Sequence, residues 1–327
     1  MLETPYRTKQ ILVAIVGPTA VGKTDLVLRI ADELNAEIVN IDSMQIYRYM
    51  DIGTAKPSPR ERQTIRHHLI DIADPDEEYN LCRFIADAER ACAEINARSK
   101  LPLLTGGTGL YLKGFQEGVF ELVEEKNSNE NRDESELRKK LGNELAEKGR
   151  DYLFDKLKKC DSVSAARIHP NDTYRLLRAL LIFEHTGVPW SVHLERQRQK
   201  NATENAPVQQ REILKIGLCL ERELLYERIN MRTEKMFAEG LLEEVRSLLD
   251  RGFSPELKSM QSIGYRHAVK LLAGEWDRAE AVRLMARDTR RYAKRQYTWF
   301  KKDPQIKWIE PDRGDAIIKQ IKEHLEG

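Results

Sequence analysis

The first 120 residues alternate between short apolar runs and amphipathic stretches. Residues 11–16, 36–41 and 101–104 have the length and apolar content of buried strands. Between these runs, apolar residues recur at helical spacing over residues 25–34 and 81–98, the second stretch preceded by a potential N-cap. Strands that alternate with helices in this way are typical of a parallel sheet with helices on its faces. We therefore predict an α/β core.

The pattern changes between residues 123 and 210. Helical periodicity appears there at residues 137–145, 152–157 and 175–183, and no clear strand pattern lies among them. We interpret this region as a mainly helical insertion in the α/β core. The predicted organisation is a first part of the core over residues 1–122, an insertion over 123–210, and completion of the core with C-terminal helices over 211–327.

The remainder of the chain returns to the pattern of the core. Residues 212–219 have strand character. A long helix is predicted to begin at Arg222 and to end at Gly252, because apolar positions recur throughout and glycine commonly ends helices. The last strong segment, residues 289–300, is amphipathic.

The loop between the first strand and the first helix matches the P-loop pattern G-x-x-x-x-G-K-[ST] in its required strand–loop–helix context. Its glycines let backbone N–H groups turn toward a phosphate, and the N-terminus of the helix attracts anions. Lys23 adds a positive charge, and the hydroxyl of Thr24 suits a Mg²⁺ that bridges phosphate oxygens. A structural Gly-Pro turn is the alternative, which agreement of both pattern and context disfavours. The predicted diphosphate- or nucleotide-binding residues are Gly17, Pro18, Thr19, Ala20, Val21, Gly22, Lys23 and Thr24. The predicted fold is thus a P-loop NTPase-like parallel sheet flanked by helices.

Asp42 follows the second predicted strand. Because ligands of parallel α/β sheets bind at the carboxyl ends of the strands, Asp42 is expected beside the P-loop. Its position alone leaves three roles open, namely a helix or turn cap, an indirect Mg²⁺ ligand, and a general base. The glycine-rich segment 105–109 follows the third strand and is expected to form a second wall of the same site.

Charge is segregated along a chain whose net charge is only +1. Residues 258–302 contain twelve Lys or Arg and four Asp or Glu, whereas residues 121–136 contain seven acids and two bases. Basic residues interleaved with aromatic ones over 289–300 suit an RNA partner. An amphipathic helix whose aromatic residues belong to the core is the alternative, which the pattern by itself favours. Arg175 and Arg178 share a helix face, and a solvated face is the favoured interpretation there too.

Composition excludes several classes of protein. The four cysteines are far apart and lack zinc spacing, so we expect reduced thiols. Adjacent His67 and His68 cannot share one face of a helix or strand, which argues against a metal pair and predicts loop or edge residues. No stretch has the length and apolar character of a signal peptide or a membrane span. We expect a soluble, cytoplasmic protein without contact to a membrane.

Beyond the P-loop, further motifs follow in chain order between residues 10 and 302. The whole set is G-P-T-A-V-G-K-T, D-S-M-Q-I-Y, G-T-A-K-P, H-H-L-I-D, T-G-G-T-G-L-Y, I-H-P-N-D, R-L-L-R-A-L, Q-S-I-G-Y-R and T-R-R-Y-A-K-R-Q-Y-T-W-F. This set resembles the tRNA dimethylallyltransferase (tRNA isopentenyltransferase) family. The motifs beyond the P-loop are not shared with nucleotide kinases generally. No zinc finger follows the last motif, so the resemblance is to the shorter bacterial form. The acidic segment 115–135 departs from the family's proline-containing link into the insertion.

The resemblance implies a reaction and roles for individual residues. The dimethylallyl group of dimethylallyl diphosphate would pass to the N6 amine of an adenine adjacent to the anticodon in tRNA, with Mg²⁺ assisting and diphosphate leaving. It implies Asp42 as the general base, Thr24 as a ligand of Mg²⁺ and diphosphate, Lys23 in the diphosphate loop, and Arg222 near the diphosphate channel. The resemblance and the basic C-terminal segment together predict a set of tRNA-binding residues. They are Asp42, Ser43, Met44, Gln45, Thr108, Tyr174, Arg175, Leu176, Leu177, Arg178, Arg291, Lys294 and Arg295. We expect a monomer whose partners are dimethylallyl diphosphate and the anticodon stem-loop of tRNA.

Three other functions share part of this pattern. A P-loop kinase of a small metabolite would explain the loop and Asp42 but not the basic C-terminal segment. An isopentenyltransferase acting on free adenine nucleotides would not need a large insertion. A noncatalytic RNA-binding NTPase switch would retain its function without the Asp42 carboxylate.

Overall fold

A computed structural model describes residues 10–118, 130–201 and 211–326. The chain divides into two compact units, Met1–Gln116 with Gln210–Gly327 (unit 1) and Glu117–Gln209 (unit 2). The predicted limits of the insertion, residues 123 and 210, lie outside the described residues. Residues 119–129 of the acidic segment 115–135 lie outside them too. Within the described ranges, no helix is long and apolar enough to cross a membrane.

Unit 1 contains a parallel sheet in the strand order β3-β2-β4-β1-β5-β6. The strands are β1 (Gln10–Val16), β2 (Ala36–Asn40), β3 (His67–His68), β4 (Leu101–Gly106), β5 (Arg211–Leu218) and β6 (Lys307–Ile309). The central strand β1 lies between β4 and β5, with Val13 opposite Leu103 on one side and Leu214 on the other. Because such a strand is covered on both faces, its sequence is continuously apolar.

Helices cover both faces of this sheet, as predicted. In unit 1 they are α1 (Lys23–Glu33), α2 (Pro59–Thr64), α3 (Leu81–Ala97), α4 (Gly109–Glu117, which ends at the boundary), α9 (Arg222–Ala238), α10 (Leu241–Asp250), α11 (Tyr265–Leu272), α12 (Arg278–Phe300) and α13 (Gly314–Glu326). Alternate residues of β1 point to opposite faces. Leu12, Ala14 and Val16 pack in a core with α3, α10 and α11, whereas Val13 and Ile15 pack with α1, α9 and α13.

Unit 2 consists of helices in its described part, α5 (Glu130–Cys160), α6 (Ser162–Arg167), α7 (Thr173–Thr186) and α8 (Trp190–Asn201). Helix α5 bends at Gly149, whose φ of 80° glycine adopts readily. The buried carboxylate of Asp161 caps α6 by accepting from Ser164 N–H at 2.9 Å, and its second oxygen accepts from Ser191 N–H at 2.9 Å. The mainly helical character expected for the insertion is therefore present in the described residues.

Two predictions about the elements of unit 1 had different outcomes. Asn80 caps α3 as expected, because its side chain accepts from Arg83 N–H at 2.9 Å. The single helix from Arg222 to Gly252 is wrong, because α9 ends at Ala238 and α10 starts at Leu241. Between them Gly240 has a left-handed φ of 106°, which interrupts the helix while the apolar pattern continues.

Candidate active site

A cavity of about 360 Å³ lies in unit 1 at the carboxyl ends of β1, β2 and β4. This is the edge at which parallel sheets bind ligands. One wall is the P-loop and the start of α1. A second wall contains Asp42, Gln45, Thr54 and Ala55. Side chains of α9, one side chain of α12 and residues of β2, β3 and β4 also line the cavity.

The P-loop surrounds one end of this cavity. Thr19, Ala20, Gly22, Lys23 and Thr24 line it, as the sequence motif predicts. The backbone of the loop requires glycine at its second conserved position, where φ is 101°.

The remaining P-loop residues pack against the core or the neighbouring strand and do not line the cavity. Val21 is fully buried in the core beneath it. At Gly17, a Cβ atom would lie 2.8 Å from the carbonyl oxygen of Leu218 in β5, so no larger residue fits there. The carbonyl oxygens of Gly17 and Pro18 accept hydrogen bonds from Lys23 Nζ at 3.0 and 2.7 Å.

The Lys23 ammonium group is therefore held within the loop and largely withdrawn from solvent. This burial lowers the pKa of Lys23 from 10.5 to about 8. The carboxylate of Asp42 opposes that shift, whereas the guanidinium of Arg232 adds to it. An incoming polyanion would favour the charged form of this lysine.

Asp42 lines the cavity from the other side, at the end of β2. Its Oδ1 accepts a hydrogen bond from Met44 N–H at 2.9 Å. This bond stabilises a turn, which is the capping role among the three roles considered for Asp42. The side chain of Asn40 fixes the same turn by accepting from Asp42 N–H at 3.2 Å. This turn sets the orientation of the carboxylate and leaves the roles of base and metal ligand open.

Neighbouring polar residues meet beside this turn. Thr108 Oγ1 accepts from Ser43 N–H at 3.0 Å and lies 3.3 Å from Ser43 Oγ. Gln45 lines the cavity, whereas Met44 packs against the core. Ser43, Thr108 and Gln45, which the resemblance connects with tRNA, are thus close to Asp42 in space.

Two arginines that the sequence interpretation missed lie beside the P-loop. Arg228 Nη1 donates to Val21 O at 3.4 Å, and Arg232 Nη1 donates to Thr19 Oγ1 at 3.3 Å. With Lys235 they line the cavity from one face of α9. Their spacing at i, i+4 and i+7 was a signal available in the sequence, although it equally fits a solvated helix face.

Arg222, by contrast, lies at the start of α9, is exposed and packs over the ring of Tyr226 at 5.2 Å. It is not among the residues that line the cavity. The structure therefore does not bring Arg222 together with the P-loop, and the arginines that it brings there are one and a half to three turns further along the same helix.

Gln296 of α12 is a further site residue that the sequence interpretation missed. Its side chain is buried and joins two loops of the site. Oε1 accepts from Thr19 N–H of the P-loop at 2.8 Å, and Nε2 donates to Gly107 O at 2.9 Å. No local sequence signal distinguishes this glutamine.

Several aromatic side chains of helix α12 pack into the protein, and Arg295 lies over the ring of Tyr292 at 5.7 Å. Phe300 is buried, Tyr297 packs against Trp308 at 5.7 Å between ring centres, and Trp299 lies against Gly109. The alternative interpretation, aromatic residues in the core, thus holds for these rings. The predicted tRNA-binding side chains of Arg291, Lys294 and Arg295 are exposed.

The predicted tRNA-binding residues of unit 2 differ in exposure. Tyr174 is 81% exposed at the start of α7, and the exposed Arg175 pairs with Asp172 at 2.6 Å. Leu177 is partly buried, and Arg178 lies 3.7 Å from the Glu134 carboxylate. Leu176 is fully buried in the core of unit 2, so its side chain is not at the surface of that unit.

The oxygen donors at the cavity include the Thr24 hydroxyl and the Asp42 carboxylate. No group of three or more His, Cys, Asp or Glu side chains that could hold a metal occurs in the described residues. His67 and His68 form the edge strand β3, as loop-or-edge placement predicted, and His68 Nε2 lies 2.7 Å from the buried Glu37 carboxylate. A Mg²⁺ shared with the oxygens of a bound phosphate fits this sparse set of donors better than a metal enclosed by protein ligands.

Comparison with known proteins covers nearly the whole chain. A family model described as IPP transferase matches residues 45–303, and one described as isopentenyl transferase matches residues 10–77. The tRNA dimethylallyltransferase of Desulfosudis oleivorans is 46% identical over 307 residues, which are 94% of this chain and 93% of the relative. That of Desulfotalea psychrophila is 47% identical over 320 residues, 98% of this chain and 97% of the relative.

Solved structures agree with these matches. The full-length tRNA isopentenylpyrophosphate transferase of Bacillus halodurans has a TM-score of 0.68 and 38% identity, covering 97% of each chain. A eukaryotic dimethylallyltransferase acting on tRNA has a TM-score of 0.74 and 28% identity, covering 92% of this chain and 74% of its own. On this evidence the chain, with its P-loop NTPase-like fold, belongs to the tRNA dimethylallyltransferase family of prenyltransferases.

Proposed function

We propose that this protein transfers the dimethylallyl group of dimethylallyl diphosphate to the N6 amine of an adenine adjacent to the anticodon in tRNA, with release of diphosphate. The observation that supports it best is the shared cavity, into which both the P-loop and the Asp42 carboxylate open. A grip for a leaving diphosphate and a proton acceptor for a nucleophile are then on facing walls. Family membership supplies the identity of the two substrates.

The P-loop wall would bind the diphosphate of the donor. Backbone N–H groups of the loop and the side chains of Lys23, Arg228 and Arg232 would surround its negative charge. As the allylic C–O bond breaks, that charge grows on the departing oxygen, so groups fixed here stabilise the transition state more than the ground state. The Thr24 hydroxyl would hold Mg²⁺, which when bound would neutralise part of the diphosphate charge.

The Asp42 wall would act on the acceptor. The N6 lone pair of adenine is delocalised into the ring, so the amine is a weak nucleophile. A carboxylate that accepts the N6 proton while the C–N bond forms would assist attack on the allylic carbon, and the electron pair of the C–O bond would leave with diphosphate. The 2.9 Å bond from Met44 N–H to Oδ1 would keep the carboxylate aimed at the cavity.

Recognition of tRNA would use separate surfaces on each unit. In unit 1 these are Ser43, Gln45 and Thr108 beside the cavity and the exposed basic side chains of α12. In unit 2 they are the side chains of Tyr174 and Arg175. Phosphate contacts by arginine and lysine would position the anticodon stem-loop, and an unpaired loop adenine leaves its stack at lower cost than a base in a duplex.

An assay with labelled donor tests this function. Purified protein, Mg²⁺ and labelled dimethylallyl diphosphate are incubated with total tRNA, and in parallel with AMP and with ATP. We expect label in tRNA only, recovered as an N6-substituted adenosine after digestion, with one diphosphate released per transfer. Label in AMP or ATP would instead indicate a free-nucleotide isopentenyltransferase, and consumption of ATP without prenyl transfer would indicate a kinase or a switch.

A further inference from the structure

The carboxylate of Glu244, in the first turn of α10, receives four hydrogen bonds. Backbone N–H groups of Asp51 and Ile52 donate to Oε2 at 3.0 and 2.7 Å, and that of Gly53 donates to Oε1 at 3.1 Å. The hydroxyl of Tyr265 donates to Oε1 at 2.5 Å. Hydrogen bonds to an ionised acceptor are stronger than those between neutral groups. Glu244 is therefore a firm anchor for the segment 51–53.

The segment that follows has a conformation that needs such an anchor. Ala55 has a left-handed φ of 49°, a region that residues with a Cβ rarely adopt. The buried ammonium group of Lys56 bonds to Tyr47 O at 2.8 Å and pairs with the Asp51 and Asp71 carboxylates at 2.7 and 2.6 Å. Within the segment, Ala55 N–H donates to Ile52 O and Lys56 N–H donates to Asp51 O, each at 3.0 Å. These bonds and the contacts to Glu244, Tyr47 and Asp71 together hold this backbone in place.

Tyr265 supports the anchor by packing as well as by hydrogen bonding. A Cβ atom at Gly53 would lie 2.4 Å from the Tyr265 ring, so the ring rests directly on the glycine backbone. At Gly264, where φ is 99°, an added Cβ atom would lie 3.5 Å from Gly53 O, so the two glycines are neighbours in space. The motifs G-T-A-K-P and Q-S-I-G-Y-R, which the sequence separates by about 200 positions, meet at this point.

The anchored segment connects to the cavity through a short chain of contacts. Thr54 and Ala55 line the cavity, and their carbonyl oxygens each accept from Gln45 Nε2 at 3.2 Å. These two bonds fix the orientation of the Gln45 amide, three residues after Asp42 in the same cavity wall. Nothing in this chain of contacts involves the P-loop.

We infer that Glu244 and Tyr265 are positioning residues. They hold segment 51–55 in place and, through it, orient Gln45 in the cavity wall that is proposed to receive the acceptor adenine. Neither residue lines the reacting end. Their effect is to keep the wall around Asp42 in one geometry, so that the acceptor base is presented to the carboxylate. This inference rests on the proposed prenyl transfer to an adenine.

The Glu244→Gln variant tests it, with Glu243→Gln as the matched control. Glu243 is the adjacent, exposed carboxylate of the same helix turn. A glutamine at position 244 faces N–H donors with its own NH₂ group, so the anchor weakens at unchanged size. We expect kcat/KM for tRNA to fall about tenfold or more, because the acceptor adenine would no longer be held in the reactive geometry. The KM for dimethylallyl diphosphate should change by less than about twofold. Tyr265→Phe, which retains the ring, should give a smaller loss of the same kind.

Hydrogen exchange separates a positioning effect from general loss of structure. In Glu244→Gln the amides of residues 51–56 should exchange faster than in the wild type, while the P-loop amides keep their rates. Unchanged kinetics and exchange in both Glu244→Gln and Tyr265→Phe would overturn the inference, as would equal losses for both substrates with faster exchange in the P-loop. If the wild type does not prenylate tRNA at all, the proposed function fails, and the exchange rates still decide whether Glu244 holds the segment.

Discussion

The two walls of the cavity have different origins in the chain. The phosphate wall is a contiguous loop of eight residues whose lysine bonds back to the carbonyl oxygens of Gly17 and Pro18. The acceptor wall combines the turn at Asp42 with segment 51–57 and the end of β4. Its support comes from Thr108, 65 positions from Ser43, and from Glu244, 192 positions from Ile52. The first wall is therefore contiguous in sequence, although Gln296 of α12 and Arg232 of α9 also bond to it. The second wall is assembled from segments that are far apart in the chain.

This difference has consequences for how substitutions should act. A change within the P-loop should affect the donor, because the loop lines the end of the cavity that is proposed to bind the diphosphate. Changes far from the cavity, at α10 or α11, should affect the acceptor. A residue that contacts both walls should affect both substrates.

Asp42→Ala should produce the largest effect. We expect kcat to fall by roughly 10³-fold or more, since general-base catalysis contributes about 10² to 10⁴, while affinity for tRNA changes only a few-fold. Single-turnover transfer from labelled donor to tRNA, beside a direct binding measurement, gives the two numbers.

Asp42→Asn decides why the residue matters. The amide oxygen of asparagine can still accept from Met44 N–H, so the turn survives, but it cannot take a proton at neutral pH. Activity as low as in Asp42→Ala is expected for a base. Recovery to near wild-type turnover would assign Asp42 to the turn alone and remove the base from the proposal.

The sheet was predictable because strands covered on both faces leave continuous apolar runs. The same reasoning could not find β3 and β6, which have two and three residues. The break at Gly240 was also missed, since Phe237 and Leu241 on either side of it are both buried and continue the apolar pattern. Such a break depends on one backbone conformation, which hydrophobic periodicity does not record.

Lys23→Met should lower kcat/KM for dimethylallyl diphosphate by about 10²-fold, the usual cost of one group that stabilises a developing anion. The wild type should also show a pH dependence that the variant lacks. Withdrawal from solvent lowers the pKa of Lys23 to about 8, so the ammonium is charged below that pH and loses its charge above it. Since kcat/KM reports the free enzyme, its value for the donor should fall as pH rises through about 8.

The pH profile of Lys23→Met is the control for that assignment. A limb near pH 8 that persists in the variant would have to come from another group. Turnover at saturating tRNA and donor should move less with pH in the wild type, because bound diphosphate favours the charged lysine.

Gln296→Leu should sharpen the contrast between the walls, since this side chain contacts both. It removes the bond to Thr19 N–H in the P-loop and the bond to Gly107 O beside the acceptor wall. Buried donors and acceptors are then left unpaired, and we expect kcat/KM to fall about tenfold for donor and tRNA alike. The same assays on Glu244→Gln should show a loss for tRNA only. Equal patterns in the two variants would mean that the walls are not separately supported.

The site was predictable where its chemistry is local. The P-loop has a fixed spacing, and Asp42 follows a strand whose end was expected at the crevice. Arg228 and Arg232 were not distinguishable from a solvated helix face. The resemblance to the family implied Arg222, on the same helix, and not these two arginines. Gln296 and Glu244 act only because folding brings α12 and α10 against loops far away in sequence. Contacts of this kind carry no pattern within a single stretch of chain.

The smallest effect is expected at the exposed face of α12. Lys294→Ala combined with Arg295→Ala should weaken tRNA binding uniformly, by a few-fold, and leave kcat and the KM for dimethylallyl diphosphate unchanged. Each lost phosphate contact should reduce the slope of log affinity against log salt by about one. Arg283→Ala is the matched control, because Arg283 is exposed on the same helix but paired with Glu280 at 2.7 Å. A salt slope in the double variant equal to that of Arg283→Ala would show that tRNA reaches the cavity without touching this face of α12.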